Sequence, residues 1–289
     1  MNTFTNSMFE SIKGALTKNN DASSSKAKDY LRCEVGNTYV VRLLPNVKDP
    51  SKTFFHYYSY AWNSLTTGQL ITLISPTTWN QRDPIAEERY RVLRNGTEKE
   101  KEKALAIKRR ENWLVSVYIV NDPVNADNNG KVKLLRFGRQ LHKIIMDAIE
   151  GEEAVDLGPR IFDLSPKGCN LRIKVEKQGD YPTYVSSKFS APKEIEGLDE
   201  DGYKKVYNNA FDLESYVSVK SYDELKESLN AHYHGTKDPE DTVSISEVVE
   251  RKTSAPVPVV APVVAVAAKV DKKAESDEDA SISELLKDL

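Results

Sequence analysis

Cysteine and long apolar runs are both scarce in this sequence of 289 residues. The two cysteines, Cys33 and Cys169, are too few for a disulfide scaffold and form no Cys-x-x-Cys pair. Both are therefore predicted to be small buried residues in a reducing compartment. No apolar stretch is long and unbroken enough to span a bilayer, and residues 1–29 contain no secretory signal. We therefore expect a cytoplasmic protein without a membrane partner.

Motifs for nucleotide hydrolysis, metal binding and covalent catalysis are also lacking. The chain has neither a Gly-x-Gly-x-x-Gly sequence nor a phosphate-binding Gly-x-x-x-x-Gly-Lys-[Ser/Thr] loop. Residues 125–130 resemble the start of a calcium loop, but Arg136 occupies the position that requires a bidentate Glu, so a hairpin turn is predicted there. His232 and His234 have no other metal ligands near them in the sequence. We therefore predict a protein that is not an enzyme and needs no cofactor or metal.

Charge is present in quantity but is unevenly distributed. Residues 1–190 contain 29 Lys and Arg against 22 Asp and Glu, whereas residues 191–289 contain 12 against 22. The net charge of -3 therefore conceals a basic body and an acidic end. Such an arrangement is compatible with a polyanionic partner for the body and a competing acidic tail. A solubilising tail would give the same pattern, so charge alone makes nucleic-acid binding only one interpretation.

Hydrophobic patterns predict a mostly β protein with some helices. Runs of β-branched and aromatic residues predict strands at 38–44, 54–62, 70–74, 113–120, 131–137 and 171–176. In the last run, period-two alternation predicts that Arg172 and Lys174 face away from the core. Helices are predicted after the capping box at Thr97, at 138–150, and within 203–233, which is interpreted as an acidic, Tyr-rich lobe that closes the core.

The ends of the chain differ from this core, which is assigned to residues 30–235. Residues 1–29 are predicted to form an arm with a short amphipathic helix at 8–16 and a flexible connector at 17–29. Order is predicted to fade beyond Gly235, with a Pro, Val and Ala linker at 236–270 and an acidic tail at 271–289. The candidate partner-binding residues of the tail are Asp277, Glu278, Asp279, Ile282, Leu285, Leu286 and Leu289.

Cationic and aromatic residues coincide in three segments. Residues 108–110 precede Trp113, Arg136 precedes Phe137, and two tyrosines follow the basic strand at 171–176. Phosphates favour fixed cations and unstacked bases favour flat rings, so these segments together predict a groove for single strands. The groove residues predicted are Arg42, Lys108, Arg109, Arg110, Trp113, Arg136, Arg139, Arg172, Lys174, Tyr181 and Tyr184. For each aromatic residue taken alone, core packing is at least as good an interpretation.

Several segments in order resemble the helix-destabilising single-stranded DNA-binding proteins of T-even-like bacteriophages. They are residues 39–45, 108–123, 130–138, 170–189 and the closing 285–289. The resemblance implies an oligonucleotide-binding (OB) fold core, a Greek-key barrel with helical insertions. It also implies a disordered acidic tail that contacts replication and recombination proteins, and a helical arm for cooperative self-association. The arm residues assigned to self-association are Met8, Phe9, Ile12, Lys13 and Leu16.

Residue by residue, the resemblance places Lys108, Arg109 and Arg110 in the basic core motif, where Glu111 and Asn112 replace hydroxyl residues. Members of the family hold a structural zinc with Cys and His, but residues 56–90, the corresponding subdomain, contain no cysteine. Ser75 and residues 83–86 stand where thiolates are expected. We therefore predict that zinc is lost and that packing, with Trp62 and Trp79, holds this subdomain together.

These observations predict a sequence-independent, cooperative single-stranded DNA-binding protein of phage DNA replication, recombination and repair, in the host cell cytoplasm. One alternative is a metal-dependent nuclease or other DNA-processing enzyme, with carboxylates beside the same groove. Another is a protein-only replication scaffold, which would show no salt-dependent DNA affinity. RNA is also a possible ligand, because stacking and phosphate contacts do not require the absence of a 2′-OH.

Overall fold

A computed structural model describes residues 26–235. The predicted arm helix at 8–16, the linker at 236–270 and the acidic tail at 271–289 lie outside the described residues. So does most of the predicted connector, although its last residues, 26–29, form one helical turn rather than an irregular segment.

The described chain divides into two compact units. The larger one contains residues 26–61, Thr72–Arg82 and Arg109–Lys220. The smaller one contains Trp62–Ile71, Asp83–Lys108 and residues 221–235. Each unit is assembled from segments far apart in sequence, and the subdomain at 56–90 stays a prediction.

Within residues 26–235, the regular structure includes nine strands and five α-helices. The strands are β1 Thr38–Leu44, β2 Phe54–Asn63, β3 Leu70–Ile74, β4 Arg110–Asn121, β5 Val132–Phe137, β6 Cys169–Lys174, β7 Glu176–Gln178, β8 Tyr181–Thr183 and β9 Lys188–Pro192. The helices are α1 Pro84–Asn95, α2 Glu98–Ala104, α3 Arg139–Glu150, α4 Glu200–Asn208 and α5 Tyr222–Leu229, and a π-helix Asn230–His234 follows α5. All six predicted strands are confirmed, and so are the helices at α2 and α3.

Seven strands form one antiparallel sheet. Its order is β3-β2-β4-β1-β6-β9, and β5 pairs with β4 outside this path. Strands β7 and β8 form a separate hairpin. Strand β4 can pair with both β2 and β1 because it is twelve residues long. Its residues Arg110–Val115 pair with β2, and the rest pair with β1.

The sheet of the described residues does not close into a barrel, so the predicted Greek-key barrel is wrong for this part of the chain. Closure would require edge strands of the sheet to pair with one another, and in the described sheet β3 pairs only with β2, β9 only with β6 and β5 only with β4. The outer edge of β5 is met at one bridge, where Leu31 N–H donates to the Leu134 carbonyl at 2.8 Å. A mostly β structure with helices is confirmed, whereas the OB fold itself stays a prediction.

One core cluster lies between α3 and one face of the sheet. It contains Val115, Val117 and Ile119 of β4, with Leu171 and Ile173 of β6. Helix α3 adds Leu141, Ile145 and Ala148, which recur at helical spacing and are all buried. The opposite face of the sheet packs against two further clusters around Leu44 and Leu114. The helix predicted at 138–150 therefore packs as its apolar stripe indicated.

The loop between β4 and β5 confirms the predicted hairpin turn. The Asp122 side chain accepts hydrogen bonds from the backbone N–H groups of Val124 and Asn125, both at 3.0 Å, and from the Asn128 side chain at 2.7 Å. Gly130 closes the turn at φ 77°, a conformation that a side chain would disfavour. The acidic loop residues therefore organise the turn of a β-hairpin.

Residues 203–233 do not form the single lobe that the sequence predicted. Helix α4 packs in the larger unit, where Val206 joins the cluster around Leu44. Helix α5 belongs to the smaller unit, where Leu225 and Leu229 are buried. Tertiary contacts, which composition does not reveal, separate the two helices.

The smaller unit contains the helix that the sequence analysis missed. Helix α1 begins at Pro84, and the Asp83 side chain caps it by accepting from Ile85 N–H at 2.9 Å and Ala86 N–H at 3.2 Å. Its buried residues include Ile85 and Val92. Asp followed by Pro is a known helix start, so this signal was present in the sequence.

Both cysteines are free; Cys169 is buried as predicted, whereas Cys33 is only partly buried. Cys169 is fully buried, and burial raises the pKa of the partly buried Cys33 thiol to about 12. Burial also raises the pKa of the Cys169 thiol, and a raised pKa disfavours the reactive thiolate form. Between residues 26 and 235, no helix is long and apolar enough to cross a membrane.

Candidate nucleic-acid interface

The strongest combination of cationic and aromatic side chains lies on β2 and β4, where β4 begins. In the register of these strands, His56 is opposite Trp113 and Tyr58 is opposite Glu111. Alternate residues of a strand share a face, so Arg109, Glu111 and Trp113 project to one side with His56 and Tyr58. We call the group His56, Tyr58, Arg109, Glu111 and Arg139 the β2–β4 surface. It continues the core face of β4 into solvent.

Trp113 marks the point at which the core ends. It is only 9% exposed, and its ring stacks on His142 of α3 at 4.0 Å between centroids. His56 covers it from another side at 4.9 Å, and Phe137 lies parallel to it at 6.1 Å. Its flat faces are thus occupied by protein rings, and the structure places this predicted stacking residue in the core. Burial lowers the pKa of His142, which favours the neutral ring against the indole.

Arg109 lies flat on an aromatic ring at the outer end of the surface. Its guanidinium carbon is 3.9 Å from the centroid of the Tyr58 ring, a cation–π arrangement. Its Nη1 donates to the Thr77 hydroxyl at 3.0 Å. The Tyr58 ring also contacts His56 edge-on at 4.7 Å. These contacts hold a cation and an aromatic residue in fixed positions at a partly exposed site.

Glu111 joins two other members of the surface. Its carboxylate contacts His56 Nε2 at 2.9 Å and accepts a hydrogen bond from Arg139 Nε at 2.6 Å. The side chain of Glu111 is 19% exposed, whereas those of His56 and Arg139 are 40% and 52% exposed. Arg139 is the first residue of α3, whose N-cap Gly138 offers no side-chain cap. A helix N-terminus of this kind favours a negative charge nearby.

The three residues of the predicted basic motif at 108–110 do not share one face of the sheet. Arg110 is exposed, and its Nη2 donates to the Ala61 carbonyl at 3.1 Å. Since it follows Arg109 in an extended chain, it faces the other way. Lys108 is half-buried and belongs to the smaller unit. Only Arg109 of the three therefore belongs to the β2–β4 surface.

The β7–β8 hairpin is attached to α3 next to Arg139. Gln140 of α3 accepts a hydrogen bond from Tyr184 N–H at 2.9 Å. Tyr184 itself is half-buried against the core, and burial raises the pKa of its hydroxyl. Tyr181, at the start of β8, is 78% exposed beside a turn in which Gly179 has φ 61°. Of the two predicted stacking tyrosines, Tyr181 is the one that presents an open ring.

The other exposed cations of the predicted groove on β5 and β6 lie on the other face of the sheet. Arg136 is opposite Leu114, the neighbour of Trp113, and is therefore on the face away from Trp113. Arg172 and Lys174 of β6 are exposed and point away from the core, as predicted. Arg172 is opposite Lys188 of β9, and Lys174 pairs with Glu176 at 2.7 Å. The predicted groove residues thus fall on two faces of one sheet.

Arg42 is in the interior of the larger unit and is fully buried. Its Nε donates to the Asn170 side chain at 2.8 Å and its Nη2 donates to the Lys193 carbonyl at 2.9 Å. Its Nη1 donates to the carbonyls of Asp163 and Ser165. Burial lowers the pKa of this guanidinium. Because Arg42 is fully buried and each of its three nitrogens donates to a protein oxygen, a phosphate cannot reach it, so Arg42 is a structural residue here.

The region that corresponds to the zinc site of the resembled family does not fit a zinc ion. His56 contacts Glu111, the Ser75 hydroxyl bonds to the Thr77 hydroxyl at 2.8 Å, and Asp83 caps α1. Among residues 26–235, no group of three or more His, Cys, Asp or Glu side chains is arranged to hold a metal. Trp62 is 3% exposed in the smaller unit, and Trp79 packs against Phe55 in the larger one at 6.2 Å. The two tryptophans that were predicted to hold one subdomain together thus pack in different units.

His56, Tyr58, Glu111 and His142 are members or neighbours of the candidate interface that were not predicted from the sequence. His56 and Tyr58 are two residues apart in a predicted strand, so their common face was available from the sequence. Their position beside Arg109 was not, because it depends on the pairing of β2 with β4. Lys188 was overlooked for the same reason, because only the pairing of β6 with β9 places it opposite Arg172.

Comparison with known proteins gives matches of one kind. A family model described as gp32 DNA binding protein like matches residues 36–233. The chain is 30% identical over 127 residues to the single-stranded DNA-binding protein of Enterobacteria phage T4, an alignment that covers 41% of each chain. The single-stranded DNA-binding protein of Enterobacteria phage T2 aligns with the same identity and coverage. The aligned part thus spans less than half the length of these relatives.

Proposed function

This chain belongs to the gp32 DNA binding protein like family, and from that membership we propose that it binds single-stranded DNA without sequence preference. The contact region is the β2–β4 surface, together with Tyr181 of the β7–β8 hairpin. The protein acts by binding and performs no catalysis. The two phage relatives are single-stranded DNA-binding proteins, which supports a single-stranded ligand rather than a duplex.

The observation that carries this proposal is the pairing of Arg109 with the Tyr58 ring beside Arg139. A single strand presents phosphates at regular intervals and bases with exposed flat faces. Arginine side chains on the β2–β4 surface supply donors for the phosphates. Tyr58, His56 and the open ring of Tyr181 supply faces for the bases, and stacking is worth about 1 to 3 kcal/mol per base whatever the base is.

The absence of base-edge recognition follows from the same chemistry. Guanidinium groups bind the backbone, which is identical for every nucleotide, and aromatic rings accept any base. We therefore assign the protein to coating and protecting single strands during phage DNA replication, recombination and repair. The host cell cytoplasm, where such strands arise, is its proposed location.

Cooperative binding and protein partners are assigned to the two ends of the chain. The amphipathic pattern of Met8, Phe9, Ile12 and Leu16, with Lys13, provides a surface for a neighbouring copy on the same strand. The acidic residues 277–279 and the apolar positions Ile282, Leu285, Leu286 and Leu289 provide a peptide for replication and recombination proteins. Charge complementarity also allows this tail to compete with DNA for the basic body.

Binding to a labelled poly(dT) oligonucleotide at several salt concentrations tests the proposal, with a matched duplex and a matched RNA beside it. We expect the single strand to bind much more tightly than the duplex, with log K falling by about 0.7 per phosphate contact against log salt. Binding that ignores salt, or that is equal for duplex, would contradict it. Longer strands then report cooperativity, and the RNA arm reports whether the 2′-OH matters.

Incubation of the labelled strand with Mg²⁺ separates the proposal from a DNA-processing enzyme. We expect the strand to stay intact. Degradation that disappears when the metal is chelated would establish a nuclease instead.

A further inference from the structure

The carboxylate of Glu111 lies in the middle of the β2–β4 surface, where the proposed function needs positive charge. It accepts a hydrogen bond from Arg139 Nε at 2.6 Å and contacts His56 Nε2 at 2.9 Å. Glu111 is opposite Tyr58, so it is also next to the ring on which Arg109 lies. An acid at this position occupies donors of the surface and repels incoming phosphates.

We propose that Glu111 is a positioning residue that competes with the DNA backbone for Arg139 and His56. The inference rests on the proposed function, and it assigns a regulator to the same site. In the free protein the carboxylate accepts a hydrogen bond from the Arg139 guanidinium. On binding, a phosphate takes over this guanidinium, because carboxylate and phosphate use the same donors. Glu111 thereby lowers the affinity for single-stranded DNA equally for every base sequence, and it makes that affinity less dependent on salt.

The exposures of the three side chains support exchange rather than a permanent ion pair. Arg139 and His56 are each about half exposed, so a phosphate can approach them without displacing the core. The contrast is Arg42, whose donors are buried among protein oxygens. An exposed pair is weak because water screens it, and a multiply charged strand can replace it.

The smaller unit contains a matched arrangement that serves as a control. Glu88 accepts hydrogen bonds from Arg91 Nε and Nη2, both at 2.8 Å, and lies 3.4 Å from His234 Nε2. It is therefore also a glutamate between an arginine and a histidine, but it is on α1 and outside the β2–β4 surface. Glu88→Gln changes the net charge by the same amount as Glu111→Gln.

The test compares the binding of labelled poly(dT) by the full-length chain, Glu111→Gln and Glu88→Gln from low to high salt. We expect Glu111→Gln to bind about two- to fivefold more tightly at low salt, the range that an exposed ion pair is worth. Its salt slope should steepen by about 0.7, which corresponds to one more phosphate contact. Glu88→Gln should behave like the unmodified chain. Equal tightening in both variants, or weaker binding by Glu111→Gln, would overturn the inference.

A double variant tests whether the tighter binding of poly(dT) by Glu111→Gln depends on Arg139. In an Arg139→Gln background, Glu111→Gln should give a markedly smaller gain, because the donor that it releases has been removed. Additive effects would mean that Glu111 acts only as a general negative charge. Glu111→Thr serves as a second variant, since Thr suits a strand and cannot hold Arg139 in the same way, and circular dichroism checks that each variant is folded.

The outcomes separate this inference from the proposed function. If the unmodified chain binds poly(dT) with a salt-dependent affinity and Glu111→Gln gives no gain, only the role of Glu111 fails. If the unmodified chain shows no salt-dependent binding, the proposed function fails and the role of Glu111 fails with it.

Discussion

Arg42 and Arg139 show how two regions of one unit use the same side chain in opposite ways. Arg42 is fully buried, and its nitrogens donate to Asn170 and to backbone carbonyls of the segments around Asp163 and Lys193. Arg139 is half exposed at the start of α3, and the Glu111 carboxylate that accepts its hydrogen bond also contacts His56. In the first region every side-chain nitrogen donates to a protein oxygen away from solvent, whereas the second region is open to a ligand.

The role of an arginine can therefore be assigned only when the groups that accept its hydrogen bonds are known. Buried backbone carbonyls need donors, so a guanidinium with five N–H groups can join separate segments of chain. Gly168 shows how tightly the Arg42 region is packed, because a Cβ there would lie 2.0 Å from Arg42 Nη1 and 1.8 Å from the Asp163 carbonyl oxygen. The β2–β4 surface has no such enclosure, and its contacts can be exchanged.

The largest expected effect is a loss of stability when the buried Arg42 side chain is replaced. Arg42→Met should lower the free energy of unfolding by about 3 kcal/mol or more, because each buried acceptor left without a donor costs about 1 to 3 kcal/mol. Urea denaturation measures this difference. The control is Arg172→Met on the exposed face of β6, which should stay within about 0.5 kcal/mol of the unmodified chain. Equal stability of the two variants would remove the structural role of Arg42.

The next largest effect is expected on DNA affinity, when two arginines of the exposed β2–β4 surface are replaced. Arg109→Gln with Arg139→Gln should weaken poly(dT) binding by about 2 kcal/mol, since charge-assisted hydrogen bonds to phosphates are lost. The salt slope should become shallower by about 0.7 for each contact removed. Arg160→Gln, an exposed arginine of the same unit, is the control and should leave binding unchanged. Unaltered affinity of the double variant would move the interface elsewhere on the chain.

A smaller effect is expected at the β7–β8 hairpin. Tyr181→Ala should weaken binding by about 1 kcal/mol, the lower end of the range for one stacked base, with the stability of the fold retained. Tyr181→Phe keeps the ring and should bind normally. Fluorescence titration with the labelled strand distinguishes the three proteins, and a loss of affinity in the Phe variant equal to that of Ala would argue against stacking.

The smallest effect is expected from the acidic tail. Deletion of residues 271–289 should strengthen binding at low salt, because residues 274–289 contain six acids and a single lysine. The gain should disappear in 1 M salt, where the Debye length is about 3 Å. Titrations of the full-length and truncated chains at both salt concentrations measure it. Unchanged affinity at low salt would show that the tail does not compete for the basic body.

Much of the secondary structure was predictable from local patterns. Strands β1 and β3 begin and end at the predicted residues, and α3 differs by one residue at its start. The alternation in β6 also predicted that Arg172 and Lys174 would be exposed. These elements follow from the period of the apolar residues, which is a local property. Helix α1 was missed because its charged middle obscured a short apolar stripe behind the Asp83 cap.

The candidate site was less predictable, because its members meet only through pairing. Arg109, Trp113, Arg139 and Tyr184 were all singled out from the sequence, but Trp113 and Tyr184 face the core. The sequence indicated a single basic groove, whereas β5 and β6 place Arg136 and Arg172 on the opposite face of the sheet from Trp113. The barrel was wrong because closure depends on which strand edges meet, which no local pattern encodes.

The sequence by itself determined the mostly β class, the course of the main strands and the presence of cations among aromatic residues. Each of these depends on neighbours along the chain, so composition and period are sufficient. Only the tertiary structure decided that Arg42 is enclosed by Asn170 and Lys193 and that Glu111 joins His56 to Arg139. Those contacts join residues 28 to 151 positions apart in the chain. The register of the strands and the packing of α3 bring them together, and a linear pattern contains neither.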